Sequence, residues 1–355
     1  MNDLIFEENC FEKIKSCSKP ILLFGMGNGA DMIIDVFKDY SIDFDGVFAS
    51  DRFVRGHSFH GREVMTLEKA EEKFGDFAAV MTFAVHDDET IDFVKKISKN
   101  HLFFSPTVPV AGKGLFTREY AQKNIEKIKK VYSLLCDEKS KKAFENVIKF
   151  KISGKVEYLF EVYSDTDEVF ENVFNLTQDE NILDLGAYDG DTLKLFYQKT
   201  GGNFRKITAL EPDEKNFRKL TKTVQSLGEN NLNINLVNKG IWDENTMLSF
   251  EKSAGRQSKF SEKGKQLTQV VTVDSFNEDF SFIKMDVEGS EKRALLGAEK
   301  TIKKHEPSLY VCAYHRNEDI FELPLLVHSY VEDYKFYFRQ HKYIPAWESN
   351  FYITK

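Results

Sequence analysis

Two stretches of this chain each combine a short apolar run, a glycine-rich turn and the start of helical spacing. The first is Ile21–Phe24 followed by Gly25-Met-Gly-Asn-Gly29-Ala30, and the second is Ile182–Leu185 followed by Gly186-Ala-Tyr-Asp-Gly190. A continuously apolar strand that leads through glycines into a helix is typical of a βαβ unit in a parallel sheet. Because the two units lie far apart in a chain of 355 residues, they predict two α/β domains.

Hydrophobic spacing divides the chain into three regions. Residues 1–115 alternate strand and helix patterns, which predicts a Rossmann-like domain of the nucleotide-binding type. Residues 116–164 keep only amphipathic helical spacing, which predicts a helical connector. Residues 165–355 return to strand and helix alternation and end in two strand-like stretches, 334–339 and 350–354, with no helix between them. We therefore expect an antiparallel pair at the end of a mostly parallel sheet.

The same spacing places the individual elements. In the first region it predicts strands at 21–24, 44–49 and 78–84 and helices at 30–37 and 66–74. In the connector it predicts helices at 122–135, 138–150 and 155–163, with Ser164-Asp-Thr-Asp167 as the start of the next helix. In the third region it predicts parallel strands at 182–185, 206–210, 234–237, 282–285 and 309–313.

Charge and composition argue against several partners and locations. The chain has 49 Lys and Arg against 57 Asp and Glu, a formal net charge of −8, so we expect no nucleic-acid partner, since phosphates would be repelled. No apolar run approaches the roughly 20 residues of a membrane helix, and the acidic start MNDLIFEENC does not resemble a secretion signal. The four cysteines have neither metal-site nor disulfide spacing, which favours a cytoplasmic location. The sequence does not indicate the oligomeric state.

The second glycine turn is acidic, and its charge indicates the ligand. Asp184, Asp189 and Asp191 lie in or beside it, whereas the first turn has no carboxylate before Asp31. A pyrophosphate beside these carboxylates would meet a repulsion of about 1 to 4 kcal/mol per close pair, whereas the ammonium and sulfonium groups of S-adenosylmethionine would be attracted. Glu211 follows the next predicted strand, where its carboxylate can accept hydrogen bonds from both ribose hydroxyls.

The predicted cofactor-binding set follows from these two elements and the ends of the next strands. Its members are Asp184, Gly186, Ala187, Tyr188, Asp189, Gly190, Asp191, Thr192, Glu211, Pro212, Asn238, Lys239, Gly240 and Asp286. Asn238 to Gly240 are expected near the adenine, although a plain β-turn explains them almost as well. A proline at the first position of a helix also explains Pro212.

The first glycine turn allows two interpretations. Gly25, Gly27 and Gly29 leave room for a phosphate at a helix N-terminus, and Asp51 follows the second predicted strand, where an acid can hold a ribose. The same glycines also suit a tight strand-to-helix turn that binds nothing. Because no Tyr-x-x-x-Lys set occurs in residues 1–115, we expect this region to bind or orient a ligand rather than to form a second active site.

Three strings resemble the FkbM-type methyltransferases. They are Asn181-Ile-Leu-Asp-Leu-Gly-Ala-Tyr-Asp-Gly-Asp-Thr192, Ala209-Leu-Glu-Pro212 and, most specifically, Phe282-Ile-Lys-Met-Asp-Val-Glu-Gly-Ser-Glu291. Val273-Asp-Ser-Phe276, Ala313-Tyr-His-Arg316 and Leu323-Pro324 extend the likeness to about residues 165–355. The resemblance implies a class I methyltransferase fold, with seven mostly parallel strands of which the last is antiparallel. It also implies O-methylation of a hydroxyl, typically on a sugar of a surface glycan or on a natural product.

Methyl transfer is an in-line displacement at a sulfonium carbon, so the acceptor hydroxyl needs positioning and a group that takes its proton. Asp286, at the end of a predicted strand, is the first candidate for that base or for orienting the acceptor; alternatively it caps the helix that begins near Gly289. Glu288 can share either role. His315 follows the next predicted strand and either accepts the hydroxyl proton or bonds to the backbone as a loop histidine.

Several other residues near Asp286 and His315 in the sequence have possible roles in the site. Glu291 is expected one turn into the helix, as a site residue, a surface residue or a first-turn partner of the helix dipole. Arg316 is a candidate anchor for an anionic acceptor, and Lys284 is a candidate ion-pair partner of Asp286. Residues 253–258 form either an acceptor-binding loop or a mobile surface loop. Four residues have side chains of the type that binds Mg²⁺ or Mn²⁺, but their spacing does not require a metal, so we predict none: Asp274, Asp286, Glu288 and His315.

Three functions remain open at this point. The first is an S-adenosylmethionine-dependent O-methyltransferase with a small-molecule or glycan acceptor that carries a free hydroxyl. The second is a noncatalytic cofactor- or nucleotide-binding scaffold of a glycan-assembly complex. The third is a bifunctional chain in which the N-terminal region acts on NAD or a sugar nucleotide.

Overall fold

The computed structural model describes residues 7–54, 56–228, 233–251, 259–260 and 266–355. Its N-terminal part is a six-stranded sheet with the order β3-β4-β2-β1-β5-β6, in which the pairs are parallel apart from β3 with β4. The elements are α1 (Cys10–Lys15), β1 (Ile21–Phe24), α2 (Asn28–Tyr40), β2 (Gly46–Phe48), β3 (Ser58–Phe59), β4 (Arg62–Met65), α3 (Leu67–Phe74), β5 (Ala78–Met81), α4 (Asp88–Asn100) and β6 (Leu102–Phe104). The predicted elements are present, with β2 and β5 shorter than expected.

The apolar strand β1 is buried on both faces because helices cover both sides of this sheet. Leu22 and Phe24 pack in one apolar cluster, whereas Ile21 and Leu23 point the other way into a second cluster. Successive side chains of a strand alternate between faces, so a strand that is apolar throughout needs a covering layer on each side.

A helical segment follows the first sheet. It consists of α5 (Arg118–Lys123), α6 (Ile125–Leu134), α7 (Glu138–Ser153) and α8 (Glu157–Phe160). The predicted helix at 155–163 is wrong at its end, because α8 has only four residues and Tyr163–Ser164 forms a short strand, β7, at the edge of the C-terminal sheet. Pairing with an open sheet edge is a long-range interaction that local spacing does not reveal.

The C-terminal sheet has the order β10-β9-β8-β15-β16-β18-β17-β7. The elements after β7 are α9 (Thr166–Asn172), β8 (Asn181–Leu185), α10 (Asp191–Lys199), β9 (Lys206–Leu210), α11 (Glu214–Ser226), β10 (Ile234–Val237), β11 (Gly240–Ile241), β12 (Thr246–Glu251), β13 (Lys259–Phe260), β14 (Gln266–Val271), β15 (Phe282–Met285), α12 (Glu291–Leu296), α13 (Glu299–His305), β16 (Ser308–Cys312), α14 (Asp319–Tyr330), β17 (Lys335–His341) and β18 (Ser349–Thr354). The last strand, β18, is antiparallel to both β16 and β17. This confirms the expected class I methyltransferase fold, to which β7 adds an eighth strand.

A second, four-stranded sheet of order β11-β14-β12-β13 was not predicted from the sequence. Its main pair, β12 with β14, is antiparallel and has mixed polar and apolar sequence rather than an apolar run. The candidate acceptor loop at 253–258 lies outside the described residues.

The two α/β parts contact each other through backbone and side chains. Val85, which follows β5, donates a backbone hydrogen bond to Ile344 and accepts one from it, each with an N–O distance of 2.8 Å. Asp88 forms an ion pair with Lys342, and the backbone N–H of Ala111 donates to the His315 carbonyl over 2.8 Å. The N-terminal part therefore packs against the loops that follow strands of the C-terminal sheet.

Candidate functional site

A cavity of about 750 Å³ opens at the carboxyl edge of the C-terminal sheet. Ligands of open α/β sheets bind at this edge, next to the point where the strand order reverses, which here is between β8 and β15. Ten of the predicted site residues line the cavity: Gly186, Tyr188, Asp191, Thr192, Glu211, Pro212, Lys239, Gly240, Asp286 and Glu288. Six others do not line it: Asp184, Ala187, Asp189, Gly190, Asn238 and His315.

The glycines of the second turn allow backbone segments to approach each other closely. Gly186 has φ +80°, and a Cβ at this position would lie 1.8 Å from the carbonyl oxygen of Asp286. Gly190, at the start of α10, has φ +90°, and a Cβ there would lie 2.8 Å from a methyl carbon of Thr223. Positive φ and missing space together exclude a side chain at both positions. The glycines therefore bring the end of β15 against the turn that follows β8.

Asp184 and Lys284 form a buried ion pair beneath this turn. The Lys284 Nζ lies 3.2 Å from an Asp184 carboxylate oxygen and donates to the Gly186 carbonyl over 2.9 Å. Burial acts to lower the pKa of Lys284, but Asp184 and Asp286 outweigh it, so the pKa is raised and the ammonium stays charged. The Asp286 carboxylate is 3.9 Å away, so the expected pair of Lys284 with Asp286 is secondary to the pair with Asp184. Asp184 thus supports the turn from below.

Glu211 lies at the end of β9, with its carboxylate held by backbone donors. Its two oxygens accept from the N–H groups of Tyr188 at 2.9 Å and Asp213 at 2.8 Å. Burial raises the pKa of Glu211 to about 7, against the opposing effect of these two hydrogen bonds. Asn238 donates its side-chain amide to the Glu211 carbonyl over 2.8 Å. The glycine turn, the end of β9 and the end of β10 are therefore joined around one carboxylate on the cavity wall.

Asp286 and Glu288 lie next to each other on the cavity wall, with His315 behind them. The His315 Nε2 is 3.5 Å from an oxygen of each carboxylate, and its Nδ1 is 2.9 Å from the Glu291 carboxylate. Burial acts to lower the pKa of His315, but Glu291, Glu288 and Asp286 outweigh it and raise the pKa to about 10. At neutral pH this ring is an imidazolium that holds carboxylates, so it has no lone pair with which to accept a hydroxyl proton.

Glu291 corrects two expectations. It is the first residue of α12 rather than one turn inside the helix, and its side chain is fully buried, so the surface interpretation is wrong. Its carboxylate accepts from the backbone N–H of Val287 over 2.9 Å. The residue that binds N–H groups before α12 is therefore Glu291, whereas the Asp286 carboxylate accepts from the Tyr314 hydroxyl over 3.3 Å. The sequence does not reveal this role of Glu291, because the same carboxylate binds both the N–H groups before the helix and the distant ring of His315.

Three residues on the cavity wall have strained backbone. The φ angles are +47° at Tyr188, +53° at Glu288 and +92° at Glu348. Positive φ costs about 1 to 3 kcal/mol for residues other than glycine and is concentrated at functional sites. The strain therefore agrees with placing the site here.

Several wall residues were not predicted from sequence. They are His86, Tyr163, Asp165, Tyr310, Tyr314, His341, Lys342, Tyr343 and Glu348. Tyr314 was recognisable in principle, because it lies in the family-like string beside His315. The others come from β7 and the residue after it, from β16, from the end of β17 and the β17–β18 connection, and from the N-terminal part, which only the folded chain brings together.

The first glycine turn packs tightly against its own domain. A Cβ on Gly25 would lie 2.5 Å from the Phe83 ring, and one on Gly29 would lie 2.1 Å from the Thr82 carbonyl oxygen. Gly27, before the first residue of α2, has φ +95° and open space beside it. Asp51 is exposed at the start of a 3-10 turn. Close packing on the segment after β5 thus accounts for Gly25 and Gly29 without a nucleotide.

Of the four residues weighed as metal ligands, Asp274 lies apart from Asp286, Glu288 and His315. Asp274 lies in the 3-10 turn Val273–Phe276, and its carboxylate accepts from the backbone N–H and hydroxyl of Thr301 in α13, each over 2.8 Å. Asp286, Glu291 and His315 do offer ligand atoms within 4.8 Å of one another. The ion pair of His315 with Glu291 accounts for that proximity.

The cavity has the charge that a cationic cofactor needs. Among the described residues, six carboxylates line it, from Asp165, Asp191, Glu211, Asp286, Glu288 and Glu348, against three lysines, Lys239, Lys284 and Lys342. Lys284 is already paired with Asp184. The remaining excess of negative charge attracts the sulfonium and ammonium groups of S-adenosylmethionine and repels a phosphate-rich ligand.

Comparisons with known proteins relate the C-terminal half of the chain to a methyltransferase domain. Residues 184–344 match the sequence model of the methyltransferase FkbM domain. The crystal structure of a methyltransferase FkbM from Methylobacillus flagellatus KT is similar over 99% of this chain and 95% of that chain, with a TM-score of 0.76 and 20% identity. An rRNA methylase from Streptococcus thermophilus matches 51% of this chain and 89% of its own, with a TM-score of 0.34 and 16% identity. No curated protein matches the sequence.

The Methylobacillus structure shows a shared fold. Within the described ranges, no helix is both long and apolar enough to cross a membrane. The acidic cavity lies at the edge of a class I sheet, and the residues that form it fall mostly inside the matched segment. Residues 184–344 match the methyltransferase FkbM domain, and the chain as a whole has the fold of a methyltransferase FkbM.

Proposed function

We propose that this chain is an S-adenosylmethionine-dependent O-methyltransferase that acts on a sugar hydroxyl in surface-glycan or natural-product biosynthesis. The observation that carries the proposal is the pair of carboxylates, Asp286 and Glu288, on the cavity wall with the buried imidazolium of His315 behind them. A hydroxyl needs a proton acceptor to become a good nucleophile, and a carboxylate held by a fixed positive charge is preorganised for this task.

The cofactor would occupy the side of the cavity formed by β8, β9 and β10. Gly186 and Tyr188 would border it, and Glu211 would accept hydrogen bonds from its ribose hydroxyls. S-adenosylmethionine supplies a methyl group bonded to a sulfonium sulfur, and this sulfur leaves as a neutral thioether when the methyl group is transferred. Asp286, at the end of β15, separates this side from the rest of the cavity, so an acceptor beyond it would meet both the methyl group and the carboxylate.

Asp286 would take the proton of the acceptor hydroxyl as the new C–O bond forms. The Tyr314 hydroxyl donates to the same carboxylate over 3.3 Å and fixes its orientation. His315 would stabilise the negative charge of Asp286 and Glu288 without exchanging a proton itself. This assigns His315 a positioning role, in place of the base considered from sequence.

A sugar suits the wall beyond Asp286 because that wall is both aromatic and acidic. Tyr163, Tyr310, Tyr343 and His86 present rings to the cavity, and Glu348 adds a carboxylate. Rings pack against the C–H faces of a sugar, and carboxylates accept hydrogen bonds from its hydroxyls. The excess of carboxylates disfavours an anionic acceptor.

We also propose that residues 1–115, 116–164 and 165–355 act as an orienting domain, a connector and the catalytic domain. The catalytic sheet takes its edge strand β7 from the end of the connector. The free cysteines, of which Cys10 and Cys312 are buried, agree with the reducing cytoplasm as the location.

The test is transfer of a labelled methyl group from S-adenosylmethionine to a panel of free sugars and methyl glycosides. We expect a methyl ether product with the wild type and a loss of about 100-fold or more in kcat with Asp286→Asn, with a much smaller change in cofactor affinity by calorimetry. Asp179→Asn, an equal charge change in an exposed loop before β8, is the matched control. Cofactor binding without product on any hydroxyl would instead support the noncatalytic scaffold.

A further inference from the structure

His86 brings the N-terminal part of the chain into the methyltransferase cavity. It follows β5 of the first sheet, is exposed, and lines the same cavity as Asp286 and Glu348. Its ring stacks on Tyr343 with a centroid distance of 5.4 Å and an interplanar angle of 16°. The cavity wall is thus shared by two parts of the chain that have separate sheets.

The backbone fixes this ring pair. Val85 and Ile344 form an antiparallel bridge with two hydrogen bonds of 2.8 Å. In antiparallel pairing the residue after one partner lies opposite the residue before the other, so the register sets His86 opposite Tyr343. The adjacent ion pair of Asp88 with Lys342 closes the same contact. The two rings are therefore held by main-chain register rather than by chance side-chain packing.

The first glycine turn supports the segment that carries His86. The backbone N–H and hydroxyl of Thr82 both donate to the Phe24 carbonyl over 3.1 Å. Gly29 has no Cβ, and this allows α2 to lie against the Thr82 carbonyl. The first glycine turn therefore anchors the start of the segment that runs from β5 to the cavity. This gives a structural role to a turn for which the sequence does not indicate a ligand.

We propose that the N-terminal part completes the acceptor subsite, with His86 and Tyr343 forming an aromatic wall against which a pyranose ring of the acceptor packs. The wall lies beside β17, on the far side of β15 from the strands that would border the cofactor. It therefore selects the acceptor and leaves the cofactor untouched. The inference rests on the proposed function, because it assumes that the acceptor is a sugar.

The test compares the wild type with His86→Ala, His86→Phe and Tyr343→Leu, using as probe the methyl pyranoside that the wild type methylates best. We expect His86→Ala to raise the KM for this glycoside about threefold to tenfold, which is the range of aromatic stacking, with kcat and cofactor affinity within about twofold. His86→Phe should restore the KM, because it keeps a flat ring. His57→Ala, an exposed histidine of the same domain outside the cavity, is the matched control.

Three results would overturn the proposal. An unchanged KM in His86→Ala and Tyr343→Leu would refute the shared wall while leaving the methyltransferase function intact. A rise in KM accompanied by a lower melting temperature and weaker cofactor binding would show that His86 only stabilises the contact between the two parts. Methylation of no glycoside by the wild type would refute the proposed function and this inference with it.

Discussion

The affinity for S-adenosylmethionine should depend on pH through Glu211. Burial raises the pKa of this carboxyl to about 7 in the cofactor-free protein, so it is protonated below pH 7 and ionised above. Ribose hydroxyls donate hydrogen bonds, and these are about twice as strong to a carboxylate as to a neutral carboxyl group. Cofactor binding therefore favours the ionised form, and affinity should fall as the pH falls through about 7.

The size of the effect follows from the ionised fraction. With a pKa of about 7, this fraction is about 0.9 at pH 8 and about 0.1 at pH 6, so the Kd should rise about tenfold between them, or about 1.4 kcal/mol. Glu211→Gln should weaken binding at pH 8 by about 1.5 to 3 kcal/mol, roughly 10- to 150-fold, because a charge-assisted hydrogen bond is lost. Its Kd should also change much less with pH.

Calorimetric titration at pH 6, 7 and 8 measures both quantities. The glutamine variant is also the control for ionisation of the cofactor itself, since that effect is common to both proteins. A flat profile in the wild type, or an equal slope in the two proteins, would show that Glu211 does not contact the ribose as proposed.

Three further predictions concern buried groups. Lys284→Met leaves Asp184 as a buried charge without its partner, so the free energy of unfolding should fall by about 3 to 5 kcal/mol in urea titration; a change below about 1 kcal/mol would contradict the buried pair. Glu291→Gln removes the carboxylate closest to His315 and should lower the pKa of this imidazole from about 10. The kcat should then decline at a lower alkaline pH than in the wild type. An unchanged pH profile of kcat would argue against the positioning role of His315. Gly29→Ala places a methyl group 2.1 Å from the carbonyl oxygen of Thr82. We expect this substitution to lower thermal stability and to raise the KM for the acceptor more than the Kd for the cofactor. A selective loss of cofactor affinity would instead place the cofactor at the first glycine turn.

The sequence alone was sufficient for the fold class and for the strand ends that border the side of the cavity where we propose that the cofactor binds. The strand at 182–185, the acidic glycine turn and Glu211 are close in the chain, and each has a local signature: apolar continuity, glycines before a helix and an acid at a strand end. Parallel strands bring their carboxyl ends to one edge, so local signatures predict a common site. The antiparallel end of the sheet was predictable for the same reason, because no helix separates its strands.

Only the tertiary structure decides whether the His315 ring is charged and which residues form the proposed acceptor side of the cavity. His315 is flanked by carboxylates from the β15–α12 loop and α12, and burial among them decides whether the ring is a base or a cation. His86 reaches Tyr343 only through the bridge of Val85 with Ile344, two residues that are far apart in the chain. A sequence pattern records which groups exist and how neighbours are spaced. Desolvation and long-range register depend on which segments meet, and for this reason the charge of His315 and the proposed acceptor wall emerge only from the folded chain.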